Sequence, residues 1–389
     1  MAARFYTDRL VMTPGPTEIP LRVKRAMVRE SINPDLDPSF LELYNGVRDK
    51  LRRLLGASKA DVYVMAGEAM IGLEAAIANT VKPGDKVVVV ANGVFGEGFA
   101  DLVRAYGGEP LMVGVEDWRR SVDLGELERV LERNRDASLL TIVHCDTPSA
   151  LLNDLRSVAR IASSFGLLTI VDAVSSVGGI EIDFEGWNLD ILIAGTQKVL
   201  NAPPGLTIMA LSSEAWNRVR RVGYKGFYMN LALWKEMLDG KGVFPYTMPD
   251  VLVYALDEAL NIVLEEGLEN VYARHARARE ASWRALEALG LEAYPASIEH
   301  SSPTVTAINV PRGVDDAKLR ELTWTKYGVM IAGSWGKLEG KVVRVGHMGV
   351  QASRTYMLAA YTALARALRD IGYPASPSKV VEAIEEVYK

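Results

Sequence analysis

Residues 167–206 read LLTIVDAVSSVGGIEIDFEGWNLDILIAGTQKVLNAPPGL. Two apolar, β-branched runs, LLTIV and LDILIAG, each end in a short polar turn, and between them lies too little chain for a second long helix. Unbroken apolar runs suit strands that are covered on both faces, as in a parallel sheet between helix layers. The same alternation extends upstream. VYVM (62–65) leads into IGLEAAIANTV, KVVVV (86–90) into GEGFADLVRAYG, PLMVGV (110–115) into DLGELERVLERN, and LLTIVH (139–144) is followed by SVARIASSFG. Strands alternating with helix-period segments predict βαβ units, hence an α/β fold with a mostly parallel sheet. Ligands of such sheets sit beyond the carboxyl ends of strands, which is where the polar turns fall.

The pattern changes after about residue 250. A 40-residue helix-period run (251–290) with an internal Gly267 is long enough to bridge two units, and the tail holds shorter strands, TVTAINV and VVRVGH, between helices. The expected division is an extended N-terminal segment (1–20, with Pro14, Pro16 and Pro20), a large unit over 21–260, and a smaller α+β unit over 261–389 joined by the long helix. Neither repeats nor low-complexity stretches occur.

Composition narrows the function classes. The chain has 389 residues, 49% hydrophobic and 24% charged, with 49 acidic against 44 basic side chains and a net charge of −5. That balance disfavours nucleic acid or an anionic membrane as the main partner. No apolar run reaches the ~20 residues of a bilayer span, and MAARFYTDRLVMTPGP carries no apolar signal core; the expected location is cytoplasmic. A single cysteine, Cys145, excludes a disulfide framework. The four histidines (144, 275, 300 and 347) are scattered without an H-x-x-x-H pair, so no metal site is expected.

The two strand-end turns carry the chemistry. Asp172 ends the first run, and Lys198 sits among small, apolar and Pro/Gly residues after the second. A lysine half-buried in such surroundings loses part of its proton affinity and can attack a carbonyl. A carboxylate at a neighbouring strand end can keep a pyridine nitrogen protonated, so the ring accepts electrons from a carbanion. Alone, either residue is ordinary, since surface lysines and helix-capping aspartates are common; together they point to an aldehyde cofactor on a pyridine ring.

With these residues in view, the chain resembles the class V, fold-type I aminotransferases dependent on pyridoxal 5′-phosphate, among them the alanine–glyoxylate, serine–pyruvate and pyridoxamine–pyruvate enzymes. TPGPTEIP (13–20), GLEAAIANTVKPGD, ANGVFGEGF, HCDTPSALLNDL, DAVSSVGG, GTQKVLNAPPGL, FPYTMP and VVRVGHMG carry the resemblance in order along nearly the whole length. It implies a large domain around a seven-stranded type of sheet, a homodimer with shared active sites, and amino transfer between a small amino acid and a 2-oxo acid such as pyruvate or glyoxylate. It further implies that Lys198 forms the imine with the cofactor and moves the α-proton, and that Asp172 pairs with the pyridine nitrogen. Val174 and Phe95 would cover the two ring faces, with Thr147 near the phenolic oxygen. Arg344 would grip the substrate carboxylate, Gly15 would let the backbone approach the substrate, and Phe244 and Thr247 would reach the neighbouring subunit's phosphate.

Two stretches depart from the family's usual reading. Where relatives place hydroxyl-bearing residues around the phosphate, this chain has Glu68, Ala69 and Met70, leaving backbone amides and Gln197 as donors and adding a carboxylate that repels a dianion. The pyridoxamine–pyruvate enzymes also carry a glutamate there and use unphosphorylated pyridoxal or pyridoxamine as a substrate, so that activity is the alternative reading. They have an additional arginine where this chain has Trp335. Ala150, in PSALL, stands where many relatives have glycine. A cysteine desulfurase would need a mobile-loop cysteine late in the chain, and a dinucleotide dehydrogenase a G-x-G-x-x-G turn; neither is present.

Overall fold

The computed structural model describes residues 9–389, so the first eight residues of the expected N-terminal segment lie outside the described residues. The apolar runs become the strands of one seven-stranded sheet: β1 (Asp61–Ala66), β2 (Lys86–Val90), β3 (Glu109–Val113), β4 (Leu139–Val143), β5 (Leu168–Asp172), β6 (Ile191–Gly195) and β7 (Leu206–Leu211). Their order across the sheet is β1-β7-β6-β5-β4-β2-β3. The pairs β2–β3, β2–β4, β4–β5 and β5–β6 are parallel, whereas β7 runs antiparallel to both β6 and β1. The sequence reading stopped at the lysine turn and had no β7. This strand turns straight back after Gly205 and so needs no crossover helix, which removes the helix signal that marked its siblings.

Strand order reverses between β2 and β4, and that switch point decides where a ligand can sit. Register aligns the carboxyl ends: Val143 pairs with Asp172, and Asp172 with Ile193. The turns after β2, β4, β5 and β6 therefore open onto one crevice. Helices Ala69–Thr80 and Val94–Ala105 begin at its rim.

The strands and the helices covering them form one core, in which Val87–Val90, Ile170, Val171 and Ile191–Ala194 are solvent-inaccessible. A second cluster gathers Ala278–Leu291 with Val343, Val345, Met357, Tyr361 and Leu364, and it also takes in Met12 from the N-terminal segment. The long helical run breaks at Gly267, whose φ of 85° separates Asp250–Glu266 from Leu268–Leu289. In the C-terminal part, Val305–Asn309 pairs antiparallel with Val342–Gly346. Leu10–Val11 adds a short parallel pairing to Val329–Met330. The N-terminal segment is thus extended, and the partners that hold it come from the far end of the chain. Among the described residues no helix is long and apolar enough to cross a membrane.

Candidate active site

The turn after β6 is closed on itself, which fixes where its lysine points. The Thr196 hydroxyl donates to the carbonyl of Pro203 at 2.6 Å, and the amides of Ala202 and Asn201 donate to the carbonyls of Thr196 and Lys198. The Lys198 side chain passes beneath Gly15, and its Nζ donates to the Pro14 carbonyl at 2.7 Å. Burial brings the amine down to about 8, and the positive charge of Arg344 pushes the same way. A neutral amine is accordingly accessible near neutral pH, as nucleophilic attack requires. Gly15 has φ 114°, and a Cβ there would lie 2.5 Å from the lysine Cδ and 2.6 Å from Nζ. The sequence reading assigned Gly15 to the approach of substrate; the lysine's own path needs it first.

Asp172, at the end of β5, is buried, and one carboxylate oxygen accepts the Val174 amide at 2.9 Å. Burial raises its carboxyl to about 7, although the Val174 amide and the charge of Lys198 oppose the rise. A cationic partner above the second oxygen would restore the ionised form. Val174 and Phe95 both line the same cavity of about 450 Å³, together with Thr147, Gln197, Lys198, Asp172, Gly15 and Trp335. The Thr147 hydroxyl is hydrogen-bonded to that of Ser175. Cys145 also borders the cavity, but burial pushes its thiol up to about 12 and it donates to the Ser302 hydroxyl.

Arg344 projects from Val342–Gly346 on the C-terminal side of the crevice. Only 4% of its surface is exposed, and burial lowers its guanidinium to about 10. Its Nε donates to the Gly333 carbonyl at 2.6 Å and an Nη donates to the Thr147 carbonyl at 3.3 Å, with no carboxylate in ion-pair range among the described residues. A desolvated guanidinium paired only to carbonyls is an anion-binding group. The Trp335 ring lies 5.1 Å from that guanidinium and edge-on to Phe95 at 5.9 Å. Trp335 also borders an adjoining cavity, which Arg344 lines together with Arg320, a second cation not singled out in the sequence. Arg320 is bound to Asp316 by two hydrogen bonds on its own helix.

The rim at the start of helix Ala69–Thr80 is short of donors. Glu68 is the N-cap, yet its side chain caps nothing and stays exposed, as does Met70. The Gln197 amide nitrogen reaches toward the Glu68 carboxylate at 3.5 Å, and the Gln197 carbonyl oxygen is buried without a partner among the described residues.

Phe244 and Thr247 do not border the cavity of their own chain. The Phe244 ring is enclosed edge-on by Phe40, Tyr44 and Trp234, so aromatic packing in its own core consumes it. Thr247 is exposed and donates to Asp35 at 2.9 Å. Several contributors were missed in the sequence. Asp146 is buried and accepts from the Phe95 amide and the Ser149 hydroxyl, which holds the start of the Phe95 helix. His144, just after β4, is buried and bonded to the Ser176 hydroxyl. Ala150 holds a left-handed φ of 57°, a conformation that glycine adopts without steric cost.

A family model described as aminotransferase class-V matches residues 13–346. The chain is a class V aminotransferase. It is 35% identical to an uncharacterized aminotransferase of Methanocaldococcus jannaschii, over 98% of both chains. It is 34% identical to the pyridoxamine–pyruvate transaminase of Mesorhizobium japonicum, over 96% of this chain and 95% of that protein. The crystal structure of ureidoglycine–glyoxylate aminotransferase from Bacillus subtilis superposes with a TM-score of 0.93 at 27% identity, covering 100% of this chain and 99% of the other. Class V aminotransferases in general depend on pyridoxal phosphate. The pocket fits the pyridoxal ring: a low-affinity amine for the aldehyde, a buried carboxyl with one free oxygen, and two apolar walls are present on one cavity.

Proposed function

We propose that this aminotransferase exchanges the amino group of a small neutral amino acid, alanine or serine, with a 2-oxo acid, pyruvate or glyoxylate, at a pyridoxal ring bound at Lys198. The observation that carries the reading is that the Lys198 amine and the Asp172 carboxyl line one cavity while the Arg344 guanidinium borders the adjoining one, the two cavities sharing Gly15 and Trp335. A bound pyridoxal ring supplies the aldehyde and the electron sink. The residues supply the rest. Arg344 holds the substrate carboxylate, and Asp172 keeps the pyridine nitrogen protonated. Val174 and Phe95 would hold the ring between them, and Thr147 would donate beside its phenolic oxygen. Lys198, once released from the aldehyde, would take the substrate's α-proton and return it. Arg320 is neutralised by Asp316, and Trp335 covers Arg344, which supports a donor without a second negative charge. The family resemblance supports a homodimer, with cytoplasmic location as the expectation from the sequence.

Conversion of alanine or serine with pyruvate or glyoxylate, followed in wild type and Lys198→Ala, tests the proposal. Turnover by wild type and none by the variant is expected; turnover retained by Lys198→Ala sinks the role given to the lysine.

One observation favours a second reading, transamination between free pyridoxamine and pyruvate. The rim offers two acceptors, the orphaned Gln197 carbonyl and the Glu68 carboxylate. Flipping the Gln197 amide would set its oxygen against that carboxylate, so the assignment is held by charge. Two acceptors suit a hydroxyl, which donates, better than a phosphate, which does not. Calorimetry with pyridoxal phosphate and with pyridoxamine separates the two: tighter binding of the phosphorylated form decides against the second reading.

A further inference from the structure

Asn201, three residues beyond the lysine in GTQKVLNAPPG, has no part in the chemistry above, yet it is the most connected side chain near it. It is 3% exposed and holds φ 52°, a left-handed conformation asparagine tolerates better than other non-glycine residues. Its amide nitrogen donates to the Thr17 hydroxyl at 2.9 Å, to the Met348 carbonyl at 3.1 Å and, at 3.3 Å, to the carbonyl of Lys198 itself. Its oxygen accepts the Val350 amide at 2.7 Å. Thr17 completes the knot by donating to the Lys198 carbonyl at 2.9 Å. Gly349 makes room for it: a Cβ there would lie 1.8 Å from the asparagine oxygen, and its φ is 58°.

The partners belong to three different parts of the fold. Lys198 is in the turn after β6, Thr17 is in the N-terminal loop whose Pro14 carbonyl holds the lysine amine, and Met348–Val350 follow the Arg344 strand by a few residues. Lys198 and Arg344 thus stand on different segments, whose neighbours Val199 and Val342 pack in one small hydrophobic cluster, and they have no direct bond to each other among the described residues. An amino acid must satisfy both at once, its carboxylate on one and its α-hydrogen on the other. Small errors in such a spacing are expensive, since a displacement of ~1 Å can cost about 10²-fold in rate.

We infer that Asn201 is a positioning residue that sets the distance between the Lys198 amine and the Arg344 guanidinium. The inference rests on the roles proposed above for those two groups. Its signature is a split. Each partner keeps its own separate function when the knot is loosened, and only the reaction that needs both is lost.

Asn201→Ala and Thr17→Val are the variants to compare with wild type. Three readouts are needed: pyruvate binding to the cofactor-free protein by calorimetry, capture of pyridoxal at Lys198 by cyanoborohydride followed by peptide mass, and alanine-to-pyruvate turnover with its kcat and KM. Asn201→Ala should leave pyruvate binding and pyridoxal capture within about 2-fold while turnover falls at least 10-fold. Thr17→Val should show the same split at about 3-fold or more. Turnover within 2-fold of wild type in a folded Asn201→Ala overturns the inference, as does a parallel fall of all three readouts. If Asn201→Ala does not fold, Thr17→Val decides alone, and an unchanged turnover there overturns it. Wild type that captures no pyridoxal at Lys198 would instead sink the proposed function.

Discussion

Gly15 and Lys198 occupy one path: the position a Cβ would take on Gly15 is 2.7 Å from the lysine Cε and 2.6 Å from its Nζ. The N-terminal loop and the lysine turn lie far apart in sequence, and only a residue without a side chain lets them cross. Gly15→Ala must therefore move the amine or the loop, and its φ of 114° adds backbone strain. Turnover should fall by about 10²-fold, with secondary structure by circular dichroism unchanged. Near-normal turnover would show that the loop has slack the distances do not suggest.

The lysine's proton affinity gives a pH dependence with a definite sign. Attack on an aldehyde needs the neutral amine, whose midpoint lies at about 8. Capture of pyridoxal at Lys198 should rise through that pH and level off above it. Arg344→Met removes a positive neighbour that holds the amine down, so the midpoint should move to higher pH and capture at neutral pH should slow. Rate measurements across the neutral to alkaline range check it, and a midpoint that stays or falls contradicts the coupling.

Asp172 should show opposite effects on stability and activity. Its carboxyl is raised by burial to about 7 in the folded protein. An acid raised in this way stabilises the fold at low pH and gives that stability up as pH climbs from the ordinary carboxyl range through about 7. Asp172→Asn keeps the acceptor for the Val174 amide and removes the buried charge. At neutral pH the cofactor-free variant should be more stable by on the order of 2 kcal/mol, seen as a higher Tm. Its turnover should drop by about 10²–10³-fold, because the ring nitrogen loses its anionic partner.

Glu68 offers the cheapest test of which vitamer the rim prefers. Glu68→Ser exchanges an exposed carboxylate for a hydroxyl at a helix N-terminus, where amides and the helix dipole favour anions. Binding of pyridoxal phosphate should tighten about tenfold, a change of about 1.4 kcal/mol, while binding of pyridoxamine should weaken. Calorimetry with both ligands reads the pair, and equal changes in both would remove Glu68 from the discrimination.

Much of the site was legible because it is local. Asp172, Val174, Gln197 and Lys198 lie at strand ends that periodicity marks, and strand ends of a parallel sheet share one edge. β7 escaped because a strand that doubles back has no helix to announce it. Phe244 is harder to read: an aromatic in a loop looks the same whether it faces a neighbour or its own core, and here Phe40, Tyr44 and Trp234 pack edge-on against it.

By itself the sequence determined the alternation that builds the sheet, the acid and amine at its edge, and the scarcity of phosphate donors at residues 68–70. These depend on residue type and short spacing, which the linear order preserves. The tertiary structure alone decided that Pro14 receives the lysine amine, that Arg344 bonds to the carbonyls of Gly333 and Thr147 and that Asn201 joins Thr17 to Met348 and Val350. Those contacts span up to 197 residues of chain, and no local rule sets a distance between segments that meet only once two cores have packed.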